Sequence, residues 1–124
     1  MKIFLAITIF CVSTSASALD WKPIAANAFG QGFDVVTTTR FPNSGHCTES
    51  NPLAGPHPST TYLVTTHAAV VALGAIEQWG LETLATHTQG RKATVLRWIG
   101  KSFNYALGVT GTHSGIRNLS LCGW

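Results

Sequence analysis

Charge is what this sequence has least of. Charged residues make up 10% of the 124 positions, against about a quarter in an ordinary soluble domain. The formal net charge of +3 is too small for a nucleic-acid surface, which needs a dense basic stripe. Beyond the first twenty positions no apolar run reaches the 18 or so residues of a simple membrane span. The two spacings that would argue strongly for zinc, C-x-x-C and a histidine pair at i and i+4, are both missing. No G-x-S-x-G occurs, so a nucleophile elbow has no sequence support. Cysteine is sparse at three.

What is present begins with the first eighteen residues. Met1-Lys2 is a short positive start, residues 3–12 are apolar except for Thr8, and a small polar stretch ends Ala16-Ser17-Ala18. This is the three-part pattern of a secretory signal peptide, cut between Ala18 and Leu19. The alternative is an uncleaved anchor, for which an apolar run of about 10 residues is short. Phe10 before Cys11 does not fit a lipoprotein signal. The expected mature chain, residues 19–124, is one small domain of the bacterial inner membrane or periplasm. It keeps seven basic residues against five acidic ones, and two cysteines, Cys47 and Cys122. In an oxidising compartment these two are candidates for a disulfide.

Turn residues divide the mature chain into three long segments, about 23–41, 59–85 and 91–118. Four of the five prolines fall in the stretch 42–58, which is therefore a loop. Pro23 suits a first helical turn and Ser59 or Thr60 an N-cap. Segment length favours helices, so the expected fold is all-α: a compact bundle of about three helices, membrane-associated. In the third segment Val95, Trp98, Ile99, Phe103, Ala106, Leu107 and Val109 recur at helical spacing and are expected to face neighbouring helices. Gly108 and Gly111-x-x-x-Gly115 would let helices approach closely. Trp21, Trp79, Trp98 and Trp124 lie near segment ends, as an interfacial belt or as core anchors.

The densest polar group is Asp34, Thr37, Thr38, Thr39 and Arg40, followed by His46, Glu49 and Asn51-Pro52. Gln31, Asp34 and Thr38 share one helical face. A carboxylate among Phe29, Phe33, Val35 and Val36 is expensive to bury alone. It must meet solvent, a cavity, or a cation such as Arg40, Arg97 or Lys101.

The succession Asp34-Val35-Val36-Thr37-Thr38, then Glu49-Ser50-Asn51-Pro52-Leu53-Ala54-Gly55, resembles small bacterial and phage-borne membrane proteins of unknown function. Their pattern is D-x-x-T-T near the end of a helix and E-x-N-P-L-x-G in the next loop. The resemblance covers residues 31–59 and implies two further hydrophobic helices and a late asparagine, for which Asn118 is the counterpart. It implies no activity. The expected polar cluster or binding group is thus Asp34, Thr37, Thr38, Glu49, Asn51 and Asn118, as structural ties or as a ligand site.

His46, His57 and His113 are weak metal candidates, and His67, on an apolar face, reads as a hydrogen-bonded core residue. No catalytic residue and no cofactor is expected. Two readings stay open: a non-enzymatic membrane protein that contacts the lipid bilayer and a helix–helix partner or second copy, and a secreted periplasmic domain locked by Cys47 and Cys122 that binds a ligand or metal. Topology separates them. If the three segments span after cleavage, Arg91 and Lys92 lie outside, against the positive-inside rule, and both cysteines lie in the reducing cytoplasm.

Overall fold

The computed structural model describes residues 19–40, 55 and 57–122. The candidate signal peptide lies outside the described residues, as do His46, Cys47, Glu49, Asn51 and Trp124. The described residues form three α-helices and no strand: α1 Lys22–Thr38, α2 Thr60–Thr86 and α3 Gly90–Cys122.

Local chemistry sets the ends. Pro23 occupies the first turn of α1, where its missing N–H costs nothing. The Asp20 carboxylate accepts from the Lys22 amide at 3.2 Å beside it. Ser59 is extended and its hydroxyl accepts from the Tyr62 amide at 3.1 Å, capping α2. Between α2 and α3 the chain turns within residues 87–89, and Gly90 takes φ +63°, a left-handed geometry that a side chain disfavours. α1 stops at Thr38, short of the expected residue 41, and α3 runs on through Cys122, past the expected end at 118.

Cross-helix bonds fix the register. Asp20 lies level with Gln78 and Lys101, Asn27 with Asn104, and Asp34 with His67 and Asn118. α1 and α3 are therefore parallel, and α2 runs against both. Residues 79–86 of α2 and the first two turns of α3 extend beyond the start of α1, by about 12 Å at 1.5 Å per residue. The bundle thus has a three-helix body and a two-helix hairpin end.

The core inverts the usual arrangement. Among the described residues Pro23, Leu63, Ala85 and Ala93 are the buried apolar side chains, whereas Asn27, Gln31, Thr37, Thr38, Gln78 and Asn104 are buried polar ones. Seventeen large apolar side chains are exposed. The expectation that Val95, Trp98, Ile99, Phe103 and Val109 face the neighbouring helices is overturned: all are exposed, Trp98 at 68% and Val109 at 69%. α3 instead turns inward the stripe Ala93, Gly100, Asn104, Gly108, Gly111 and Gly115.

Backbone proximity explains the choice of stripe. A Cβ on Gly108 would lie 2.5 Å from the Ala26 carbonyl oxygen, and one on Gly111 2.6 Å from the Gly30 carbonyl carbon. Gly115 makes room for the Phe33 ring, which stacks on Phe29 with centroids 6.3 Å apart. At Gly108 and Gly111 large side chains cannot enter this α1–α3 seam, so there they go outward. No helix among the described residues is long and apolar enough to cross a membrane.

Candidate functional site

The polar residues gather into two knots along the bundle axis, separated by the glycine seam. From Asn104 to Asn118 is fourteen residues, about 21 Å.

The first knot joins all three helices. The Asn104 amide donates to the Gly74 carbonyl at 2.8 Å and to Gln78 Oε1 at 3.0 Å, and its Oδ1 accepts from the Asn27 amide at 2.9 Å. Gln78 Nε2 donates to the Asp20 carbonyl at 2.7 Å. Gly74 leaves space for these amides, since a Cβ there would meet Asn104 and Asn27. One turn further along, Gln31 Nε2 donates to the Leu107 carbonyl at 3.0 Å. Asn27 Oδ1 has no partner among the described residues.

The second knot brings together four of the residues singled out from the sequence. Asn118 Nδ2 lies 3.0 Å from Asp34 Oδ1, 3.1 Å from Thr37 Oγ1 and 2.9 Å from Thr38 Oγ1. The Thr38 hydroxyl also donates to Asp34 Oδ1 at 3.3 Å, and the Thr37 hydroxyl is within 3.0 Å of the Phe33 and Asp34 carbonyls. Arg97 and Lys101 do not face Asp34 but pair with Glu82 and Asp20. The side chain opposite Asp34 is His67, whose Nε2 stands 3.1 Å from Asp34 Oδ2.

The two contacts of His67 define its chemistry. Nδ1 lies 2.8 Å from the Leu63 carbonyl, and a carbonyl only accepts, so Nδ1 carries a proton. A bare Nε2 would then repel the carboxylate. The pair therefore holds one further proton, as imidazolium against carboxylate or imidazole against carboxylic acid. The Thr66 hydroxyl lies 3.4 Å from Nδ1 and donates to the Tyr62 carbonyl at 2.8 Å.

The remaining candidates disperse. Glu49, Asn51 and His46 lie outside the described residues, His57 and His113 are exposed, and Cys122 ends α3. Among the described residues no three histidine, cysteine or acidic side chains converge as a metal site would require. In the stretch 110–115, the Thr110 and Thr112 hydroxyls donate to the Ala106 and Gly108 carbonyls of their own helix at 2.9 Å.

Sequence reading by apolar pattern passes over Asn27, Gln78, Asn104, Gly30 and Gly74. A signal for them exists in small and polar residues at helical spacing: 27, 30, 34 and 38 on α1; 67, 74, 78 and 85 on α2; 93, 100, 104, 108, 111, 115 and 118 on α3.

The fold and site of the described residues together define a class: three helices bundled through glycine contacts and amide hydrogen bonds, with most of their large apolar side chains outside. No protein-family model, curated protein or solved structure matches the chain.

Proposed function

We propose that this is a small non-enzymatic helical protein of the bacterial cell envelope that seats the apolar outer faces of its bundle in a lipid bilayer. Its polar spine, including Asp34, Thr37, Thr38 and Asn118, holds the helices together. The observation that carries this reading is the inversion of burial: amides and glycines inside, Phe29, Leu73, Ile76, Ile99, Val109 and Ile116 outside. In water that surface costs about 25 cal/mol per Å²; in lipid it costs nothing, while buried polar groups and small residues supply the packing.

Two further features agree. Thr83 and Thr110, both exposed, bond their own helix at 2.9 Å, so leaving water does not strand these two hydroxyls. The described formal charges also cluster at the two ends. Residues 102–116 of α3 carry none over about 22 Å, and residues 60–76 of α2 none over about 25 Å. No helix among the described residues is apolar enough to cross alone because an average along each helix includes its inward polar stripe; the assembled bundle hides that stripe. Recovery in carbonate-washed membranes is the expected result. Release by osmotic shock overturns the reading.

A second reading, the secreted periplasmic domain, takes Cys122, which ends α3, as one half of a disulfide with Cys47. Cys122 lies in the last turns of α3 with Asn118, which meets Thr38 of α1, so Cys122 belongs to this end of the bundle. The N-terminus of the mature protein separates the two readings. A bilayer-seated bundle that starts on the cytoplasmic side keeps Arg91 and Lys92 inside and exposes the cysteine end to the oxidising side. Cleavage after Ala18 reverses both. An intact-protein mass beginning at Leu19, with one disulfide, supports the secreted domain; an uncleaved N-terminus with the same disulfide supports the bilayer reading.

A further inference from the structure

The hairpin end carries five cations, Lys22, Arg91, Lys92, Arg97 and Lys101, against three carboxylates, Asp20, Glu77 and Glu82. Two of the cations line a groove of about 420 Å³ along α3, together with Thr94, Trp98, Ser102 and Tyr105. Trp98 is also a wall of a second groove, about 520 Å³, with Val95, Ile99 and Phe103 beside it. A cationic, hydroxyl-bearing trough and an apolar one therefore run side by side along one helix, sharing an indole that is 68% exposed.

The cations are held in place without being used up. Arg97 donates through Nε to Glu82 at 2.7 Å, and Lys101 Nζ reaches Asp20 at 2.9 Å. The outer edge of the guanidinium and two ammonium protons remain for another anion. Arg97 and Lys101 are one turn apart, about 6 Å along the axis, a separation that one phosphate group can bridge. A guanidinium fork matches phosphate oxygens and an ammonium adds a point charge. Ile99 and Phe103 lead from this level into the charge-free stretch of α3, the direction an acyl chain takes from its headgroup.

We propose that this face of α3 binds a phospholipid with an anionic headgroup, its phosphate between Arg97 and Lys101, its head hydroxyls toward Thr94, Ser102 and Tyr105, and an acyl chain over Ile99 and Phe103. The site rests on the bilayer reading above. Charge complementarity selects the occupant: a zwitterionic lipid brings its own cation to an already cationic trough, whereas an anionic one does not.

The test uses the full chain with Trp21, Trp79 and Trp124 changed to Phe, so that only Trp98 emits. It is reconstituted in phosphatidylcholine vesicles containing dibrominated phosphatidylglycerol or, separately, dibrominated phosphatidylcholine at equal mole fraction. Brominated phosphatidylglycerol is expected to associate with Trp98 about fivefold more strongly. The preference should fall to about one in R97Q/K101Q and persist in R117Q at the far end. In the unmutated background about 0.5 M salt should also abolish it, which keeps the test valid if the double variant misfolds. Inorganic phosphate at about 10 mM should leave it unchanged; displacement would mean a free-phosphate site and overturn the proposal. Equal quenching by the two lipids overturns the lipid site and leaves the bilayer reading standing. No quenching by either overturns the bilayer reading itself.

Discussion

The body and the hairpin end of this bundle spend the same scarce polar residues in opposite ways. Where three helices meet, amides and hydroxyls point inward and glycine backbones touch, so Asn27, Gln31 and Asn104 are buried while Phe29 and Val109 are exposed. At the end where α1 begins and α2 and α3 run on past it, the polar groups are paired full charges, Arg97 with Glu82 and Lys101 with Asp20. A third helix decides between these solutions. It removes the inner face from water, which tolerates a paired amide but penalises an ion unless it is closely matched.

That comparison breaks most sharply at the glycine seam. Gly108→Ala drives a methyl against the Ala26 carbonyl and is expected to cost about 3 kcal/mol or more, within the upper range for forced overpacking. Thermal unfolding followed by circular dichroism measures it; a neutral result would mean that the seam is not as close as described. Asn104→Ala comes next. It removes the acceptor of Asn27 and the donor to Gln78 and Gly74, leaving buried polar groups unpaired at about 2–3 kcal/mol.

Asp34→Asn tests the second knot. It keeps the shape and an acceptor for Asn118 but loses the proton-sharing contact with His67. A destabilisation of about 1–2 kcal/mol is expected in chemical unfolding. If His67→Gln combined with Asp34→Asn costs as much as the two single changes added together, the residues are not coupled.

The sign reverses at Gly80, which has nothing within 4 Å of an added Cβ. Gly80→Ala should stabilise the chain by about 0.5–1 kcal/mol by restoring helix propensity. The same substitution thus has opposite outcomes on the two faces, measurable side by side.

The smallest effect is electrostatic and belongs to the hairpin end. The hydrogen bond from Lys101, helped by the Lys22 amide, holds the Asp20 carboxyl below its ordinary value. A depressed carboxylate contributes stability above its unfolded pKa and loses it as pH falls through the folded value. The contribution is therefore constant from pH 7 to about 5 and fades below about 4. Lys101→Met should flatten the acid limb of a stability-against-pH curve and change little else; an unchanged acid limb would mean that the pair contributes nothing.

Much of this architecture is written locally. Proline clustering in 42–58, Ser59 as a cap and segment length suffice for three helices, and D-x-x-T-T with a late asparagine marks Asp34, Thr37, Thr38 and Asn118, which the fold brings together. The first knot was not legible in the same way. Asn27, Gln78 and Asn104 are 26 to 77 residues apart, and each by itself resembles a solvent-facing amide. His67 was legible as a hydrogen-bonded residue but not as the partner of Asp34, because a separation of 33 residues leaves no local trace.

The sequence by itself determined the three long helices of the described residues and the low charge, because capping, proline geometry and composition act over a few residues. Only the tertiary structure decided which face of each helix is inside. Periodicity fixes that a helix has two faces, but glycine and alanine at 100, 108, 111 and 93 permit a backbone approach that bulky stripes forbid, and close approach went to the small, polar side.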